Sequence, residues 1–210
     1  MNPELLTCRR ITAGLLYPPF QIQTADLNRL YADITERYPY QVLQHLPDGV
    51  RMANQEDDCF IQFGRIQMND NVTYFQANRN KFLDIFGMVR DRLSLQQFVT
   101  FGVKLTASLP MTGPDAAVKF LDSSLLGVDN SNWDLLGSGR KGAGMRVLLV
   151  QDGLINLHIE PLFNDTSELY IDLDIQYSEP FIGLDSVGPK MDAAYEYLFG
   201  SVLGFLKSLR

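Results

Sequence analysis

The order of predicted elements runs through this chain twice. From Leu5 to Leu95 the pattern reads strand, helix, alternating strands and a second amphipathic helix, and from Gln96 to Arg210 it reads so again. Strands with one apolar face and helices with one apolar stripe have few ways to pack: the helices must cover the apolar face of a sheet. The sequence therefore predicts an α+β fold in two layers, a curved antiparallel sheet packed against helices. It is built from two similar strand-helix-meander-helix halves, about 1–95 and 96–210. No linker rich in Pro or Ser separates the halves, and Arg90 to Gln97 is a short polar joint. Residues 1–210 are expected to form a single domain with one continuous sheet.

In the first half, Leu5 to Leu16 reads as a strand stopped by Pro18-Pro19. Thr24 is expected to cap a helix in which Leu27, Leu30, Tyr31, Ile34 and Tyr38 recur at helical spacing. Leu46-Pro-Asp-Gly49 predicts a tight turn between two short strands. Cys59, Ile61 and Phe63 alternate with Phe60 and Gln62. Asn69-Asp-Asn71 reads as the next turn and Val72 to Ala77 as the next strand. Asn78 then reads as the cap of a helix with Phe82, Ile85, Phe86 and Val89 in one stripe.

The second half opens on the cleanest alternation in the chain. Phe101, Val103, Leu105, Ala107 and Leu109 are interleaved with Gly102, Lys104, Thr106 and Ser108. Pro114 suits the first turn of a short helix, and Gly127 to Gly144 is a polar, glycine-rich excursion. A meander over Met145 to Val150, Leu154 to Leu162 and Glu168 to Tyr177 follows. Pro189 starts a last helix, where Gly200 and Gly204 are expected to admit a closely packed neighbour.

A chain of 210 residues with 46% hydrophobic content can bury a core without disulfide or metal staples. The net charge of −7 argues against nucleic acid as a partner. Cys8 and Cys59 both lie in apolar strands and read as small core residues. The start, Met1-Asn-Pro-Glu4, lacks the pattern of a signal peptide, and the longest apolar stretch, Ala193 to Leu206, is interrupted by Glu196. These features predict a cytoplasmic protein with reduced thiols and no membrane segment.

Candidate chemistry is sparse. Gly137-Ser-Gly139-Arg-Lys-Gly142 has the glycine spacing of a dinucleotide site, but a polar loop precedes it and a strand follows, which is the wrong context. It reads as a surface loop in which Arg140 and Lys141 would contact an anion or a partner. Trp133, in a polar setting, either joins that contact as a binding hot spot or folds back over a sheet edge. His158 and Glu160 share a strand face, and so do Asp172 and Asp174 on the next strand. If the faces coincide, these four form a ligand-binding set suited to proton transfer or weak metal binding; alternation alone also demands polar residues there. The spacing assigns no catalytic residue, no metal and no cofactor: neither Gly-x-Ser-x-Gly nor His-Glu-x-x-His occurs.

The first strand running into Pro18-Pro19, the strand Phe101-Gly-Val-Lys-Leu-Thr-Ala107, the segment Leu169-Tyr-Ile-Asp-Leu-Asp-Ile175 and the Leu- and Phe-rich last helix resemble a sporadically distributed family of uncharacterised bacterial proteins. In that family the central strand often reads Gly, apolar, Arg, aromatic, apolar, Asn, Arg. Here Lys104 stands at the first Arg, and Ala107 and Ser108 replace the polar pair. The resemblance implies the fold and a bacterial source and carries over no site. The function expected from the whole sequence is a non-catalytic binding or protein-interaction module, partnered by itself as a homo-oligomer or by another protein. The second expectation is a small-ligand-binding protein or enzyme with a pocket between the sheet and the C-terminal helix.

Overall fold

A computed structural model describes residues 2–128, 130–137 and 139–209, and the side chains of all of these except 130 and 131. Asp129 and Ser138, which belong to two of the loop motifs read above, lie outside the described residues.

A 3-10 turn at Pro3–Leu5 leads into β1 (Thr7–Leu16), followed by α1 (Thr24–Arg37). A meander of β2 (Val42–Leu46), β3 (Gly49–Ala53), β4 (Asp58–Gln62) and β5 (Arg65–Asn71) ends in α2 (Phe75–Leu93). The short β6 (Gln97–Phe98) precedes β7 (Thr100–Pro110) and α3 (Ala116–Leu121), which widens into a π turn at Asp122–Leu126. Next come α4 (Asn130–Asp134), β8 (Met145–Val150), β9 (Leu154–Leu162), β10 (Asp165–Tyr177) and β11 (Phe181–Ile182). The last helix starts as α5 (Val187–Tyr197) and continues through a π turn at Leu198–Val202 into α6 (Leu203–Ser208).

Nine of these strands form one open antiparallel sheet in the order β2-β3-β4-β5-β1-β7-β10-β9-β8, so the fold is α+β as the sequence predicts. β6 and β11 pair separately, with Phe98 and Phe181 stacked at 5.4 Å. End contacts fix the direction of the central strands. Val99 N–H donates to Leu16 C=O at 2.7 Å, while Arg9 Nε donates to Ser108 Oγ at 2.8 Å, so β1 and β7 run in opposite senses. Met111 N–H donates to Ser167 C=O at 2.9 Å and Phe101 stacks on Tyr177, so β7 and β10 do too.

The backbone groups into two compact units whose boundaries fall inside β1, β7, β10 and α5. One comprises Arg10–Lys104 and Ile175–Ala194. Its core sets Leu30 and Ile34 of α1 and Phe82, Phe86 and Val89 of α2 with Val50, Met52, Ile61, Ile66 and Met68 of the meander. The other comprises Met1–Arg9, Leu105–Asp174 and Tyr195–Arg210. There α3 lies against β9, and Ile155, Leu157, Ile159, Leu169, Ile171 and Leu173 are buried along with Leu198, Val202 and Leu206 of the last helix. Cys8 and Cys59 are buried, as expected of small core residues, and form no disulfide among the described residues. Among the described residues no helix is long and apolar enough to cross a membrane.

Five local expectations are corrected. Gln23, not Thr24, occupies the cap position of α1, and it makes no side-chain cap bond. Asn69-Asp-Asn71 is not a turn: β5 runs through it, its residues pair with Thr12, Ile11 and Arg10, and the hairpin turn is Phe63-Gly64. Long-range strand pairing satisfies this backbone and overrides local turn preference. Val72 to Ala77 is consequently not a strand, because α2 begins at Phe75; Asn78 sits inside that helix and its Nδ2 donates to Asn71 C=O at 3.1 Å. Gly200 and Gly204 admit no close neighbour, since a Cβ at either would meet no heavy atom within 4 Å.

The turn at Leu46 to Gly49 is as expected, with Leu46 opposite Gly49. Here glycine is required by space: a Cβ on Gly49 would lie 2.0 Å from the Ile61 carbonyl oxygen on the neighbouring strand. Gly49→Ala must therefore push β3 from β4, with an expected stability loss of about 1–3 kcal/mol in urea unfolding. An unchanged midpoint would contradict this close approach.

Candidate functional site

β8 is the feature that departs furthest from an ordinary soluble sheet. Met145-Arg-Val-Leu-Leu-Val150 is rich in residues that favour strands and contains neither Pro nor Gly. It pairs antiparallel with β9 from Met145 opposite Ile159 to Val150 opposite Leu154, around the turn Gln151-Asp-Gly153. It is also the last strand of the sheet. In an antiparallel ladder alternate residues aim their N–H and C=O away from the paired neighbour. Among the described residues, nothing hydrogen-bonds the backbone on the outer side of β8.

Three solvent-facing side chains of this hairpin are apolar where water would favour polar ones. Leu148 is 58% exposed, Val150 83%, and Leu154, directly opposite Val150, 44%. Met145, Val147 and Leu149 on the other face are half-buried. Arg146 is the one charge on the strand; its Nε donates to Asn156 Oδ1 at 2.8 Å. Natural edges are usually blunted by lysine, proline, a bulge or shortness. The opposite edge, β2, follows that habit with five residues and with Gln44 and His45 exposed. β8, six residues long, has neither lysine nor proline, and its single charge, Arg146, is turned to Asn156.

The residues singled out from the sequence are distributed as follows. His158 and Glu160 on β9, and Asp172 and Asp174 on β10, alternate with the buried Ile155–Ile159 and Leu169–Leu173 positions, so they share one face of two adjacent strands. His158, Asp172 and Asp174 are half-buried, and His158 Nε2 has no hydrogen-bond partner among the described residues. Glu160 is exposed and borders a depression of about 190 Å³ with Lys141 and Phe163. Among the described residues no group of three or more His, Cys, Asp and Glu is placed to hold a metal ion.

Trp133 lies on α4, and Arg140 comes to it. The Arg140 guanidinium lies 4.7 Å above the indole ring and grips both carboxylate oxygens of Asp122, at 2.9 and 2.7 Å. These two residues are thereby engaged within the chain, and Arg140 ties the glycine-rich loop to the π turn after α3. Lys141 is exposed and lines an open depression of about 790 Å³ together with Lys119, Asp115 and Phe163.

A charged cluster escaped the sequence reading altogether. Asp70, on the helix-facing side of β5, is 0% exposed. Lys81 of α2 reaches it with Nζ 2.8 Å from Oδ2, and holds Asp57 at 2.9 Å as well. The same ammonium lies 5.0 Å from the Tyr40 ring centroid. Asp70 Oδ1 and the Tyr40 hydroxyl are buried without a hydrogen-bond partner among the described residues. Burial pushes the Asp70 carboxyl up to about 6 and outweighs the opposing pull of Lys81. Burial likewise raises the Cys59 thiol and the Tyr40 phenol. A near-neutral carboxyl suits acid-base chemistry, but a general base must come within hydrogen-bond reach of a substrate, and Asp70 has no exposed surface. The cluster is an interior tie. Its signal was available: Ile66, Met68 and Asp70 fall on one face at spacing two.

Compared with known proteins, the chain matches no family profile and no curated sequence.

Because the folded protein holds the Asp70 proton more tightly than the unfolded chain, this group stabilises at low pH. That contribution is lost as pH rises from about 4 to about 6. Asp70→Asn should flatten this part of the stability profile, by about 3 kcal/mol across the window. Lys81→Met leaves a buried charge unanswered and should cost about 3–5 kcal/mol at neutral pH, and less at pH near 5 where Asp70 carries a proton. Urea unfolding at both pH values checks these outcomes, and pH-independent costs would refute them.

Proposed function

We propose that the protein is a non-catalytic interaction module that docks a partner by strand pairing along β8. The observation that carries this reading is the conjunction, on one strand, of an unpaired backbone edge with exposed Leu148 and Val150. Added strands gain affinity from main-chain hydrogen bonds and selectivity from alternate side chains. An apolar edge left without blunting residues is where such pairing is favoured. The catalytic alternative draws less support, since the most perturbed carboxyl, Asp70, is sealed inside the fold.

The same reading includes a cytoplasmic location, supported by two buried cysteines that form no disulfide among the described residues. It also includes descent from a duplicated half and kinship with the bacterial family named above. Support for these comes from element order, with each half opening on a strand followed by a helix and closing on a meander and a helix.

A short fluorescent peptide alternating Thr and Val serves as the probe. Its anisotropy should rise saturably on titration with the protein. Binding should weaken by at least about tenfold for the double variant Leu148→Lys, Val150→Lys, which places gatekeeping charges on the solvent face. Absence of binding by a monomeric chain, or equal binding by both proteins, overturns the reading.

A further inference from the structure

We infer that the occupant of the β8 edge is a second copy of the same chain, paired antiparallel about a two-fold axis through Leu148. This inference rests on the interaction reading above and names its partner.

The geometry of strands restricts the choice. Residues directly opposite each other in an antiparallel pair lie on the same face of the sheet. A strand pairing with its own copy keeps its faces in register only when the two-fold axis passes through a residue, so that odd positions meet odd and even meet even. With the axis at Leu148, the exposed face sets Leu148 against Leu148 of the second copy, and Arg146 against Val150 of the second copy. The other face sets Val147 against Leu149 of the second copy.

Charge selects this register from its neighbours. The two Arg146 side chains then stand at opposite ends of the paired strands, about 13 Å apart. Each faces the end of the partner strand that leads into the turn Gln151-Asp-Gly153, where Asp152 is exposed, so opposite charges lie toward the same end. Moving the axis to Val147 would bring the two Arg146 residues onto a diagonal, where like charges repel. Moving it to Leu149 would leave fewer residues of β8 (Met145–Val150) paired. The chosen register also covers Leu148 and Val150, the most exposed apolar side chains of the strand. The strand and the turn after it thus carry a self-complementary pattern: apolar residues at the centre, Arg146 and Asp152 toward opposite ends, and an outer backbone edge that is unpaired among the described residues.

The test uses the full chain. Leu148→Cys should form a disulfide-linked dimer rapidly under mild oxidation, because residues on the axis have Cβ atoms within disulfide reach. The native thiols do not compete, since Cys8 and Cys59 are 5% and 0% exposed. Val150→Cys alone should cross-link far more slowly, while Arg146→Cys with Val150→Cys should restore fast cross-linking. In sedimentation the wild type should have twice the monomer mass at micromolar concentration, and Leu148→Arg should weaken association by at least about tenfold. A wild type that stays monomeric at about 100 µM, or Leu148→Cys that cross-links no faster than Val150→Cys, overturns the inference. If the Thr-Val peptide still binds at β8 while the chain is monomeric, self-pairing falls and the interaction reading stands; if the peptide also fails, both fall.

Discussion

Burial at every second position of a strand is the constraint on which the rest of this structure depends. In β7, Phe101, Val103, Leu105, Ala107 and Leu109 are all at most 1% exposed, while Lys104 and Thr106 between them are not buried. Each apolar side chain removed from water contributes on the order of 25 cal/mol per Å². That gain is available only if something dry lies against this face. Helices supply it: α1, α2 and the start of the last helix in one unit, α3 and the rest of the last helix in the other. The opposite face of the strands then has to tolerate water, and for most of β7, β9 and β10 it carries Lys, Thr, His, Glu and Asp.

Asp70 breaks that rule and shows what a violation requires. A carboxylate on the dry face of β5 is costly unless it is neutralised or paired. Lys81 pairs with it, and the raised Asp70 pKa records that pairing offsets burial only in part. A buried ion pair of this sort adds little net stability but makes one arrangement much better than its competitors. Here the arrangement it selects places α2 over β5 and draws in Asp57 from the loop before β4, because a shifted helix would leave two carboxylates without their ammonium.

Wherever a local pattern decided burial, the fold was legible in the sequence. The alternation of Phe101 to Leu109, the stripe of Phe82, Ile85, Phe86 and Val89, and the Asp48-Gly49 turn each depend on residues close together in the chain. The segment Asn69-Asp-Asn71 was illegible for the opposite reason. Its residues suit a turn or a strand end, and the choice is made by β1, where Thr12 Oγ1 donates to Asn69 Oδ1 at 2.8 Å across 57 residues of sequence. The same holds for the candidate site. That Met145 to Val150 is a strand follows from its composition; that it is the last strand follows only from the order of the whole sheet. Trp133 and Arg140 were visible as unusual residues, but their engagement with each other and with Asp122 depends on how the glycine-rich loop folds back.

The contrast between that loop and β8 explains why recognition is assigned to an edge with almost no charge. Arg140 looks like a binding residue in sequence, yet its guanidinium already has two carboxylate oxygens and an aromatic face. A partner would have to compete with contacts that cost nothing to keep. The outer backbone of β8 has no such prior engagement, and its donors and acceptors exchange water for a strand with little rearrangement. Exposed Leu148 and Val150 add apolar area that becomes favourable only when covered. What distinguishes a binding surface from a decorated loop is therefore which surface groups the fold leaves unsatisfied, and among the described residues the outer backbone of β8 presents a row of them.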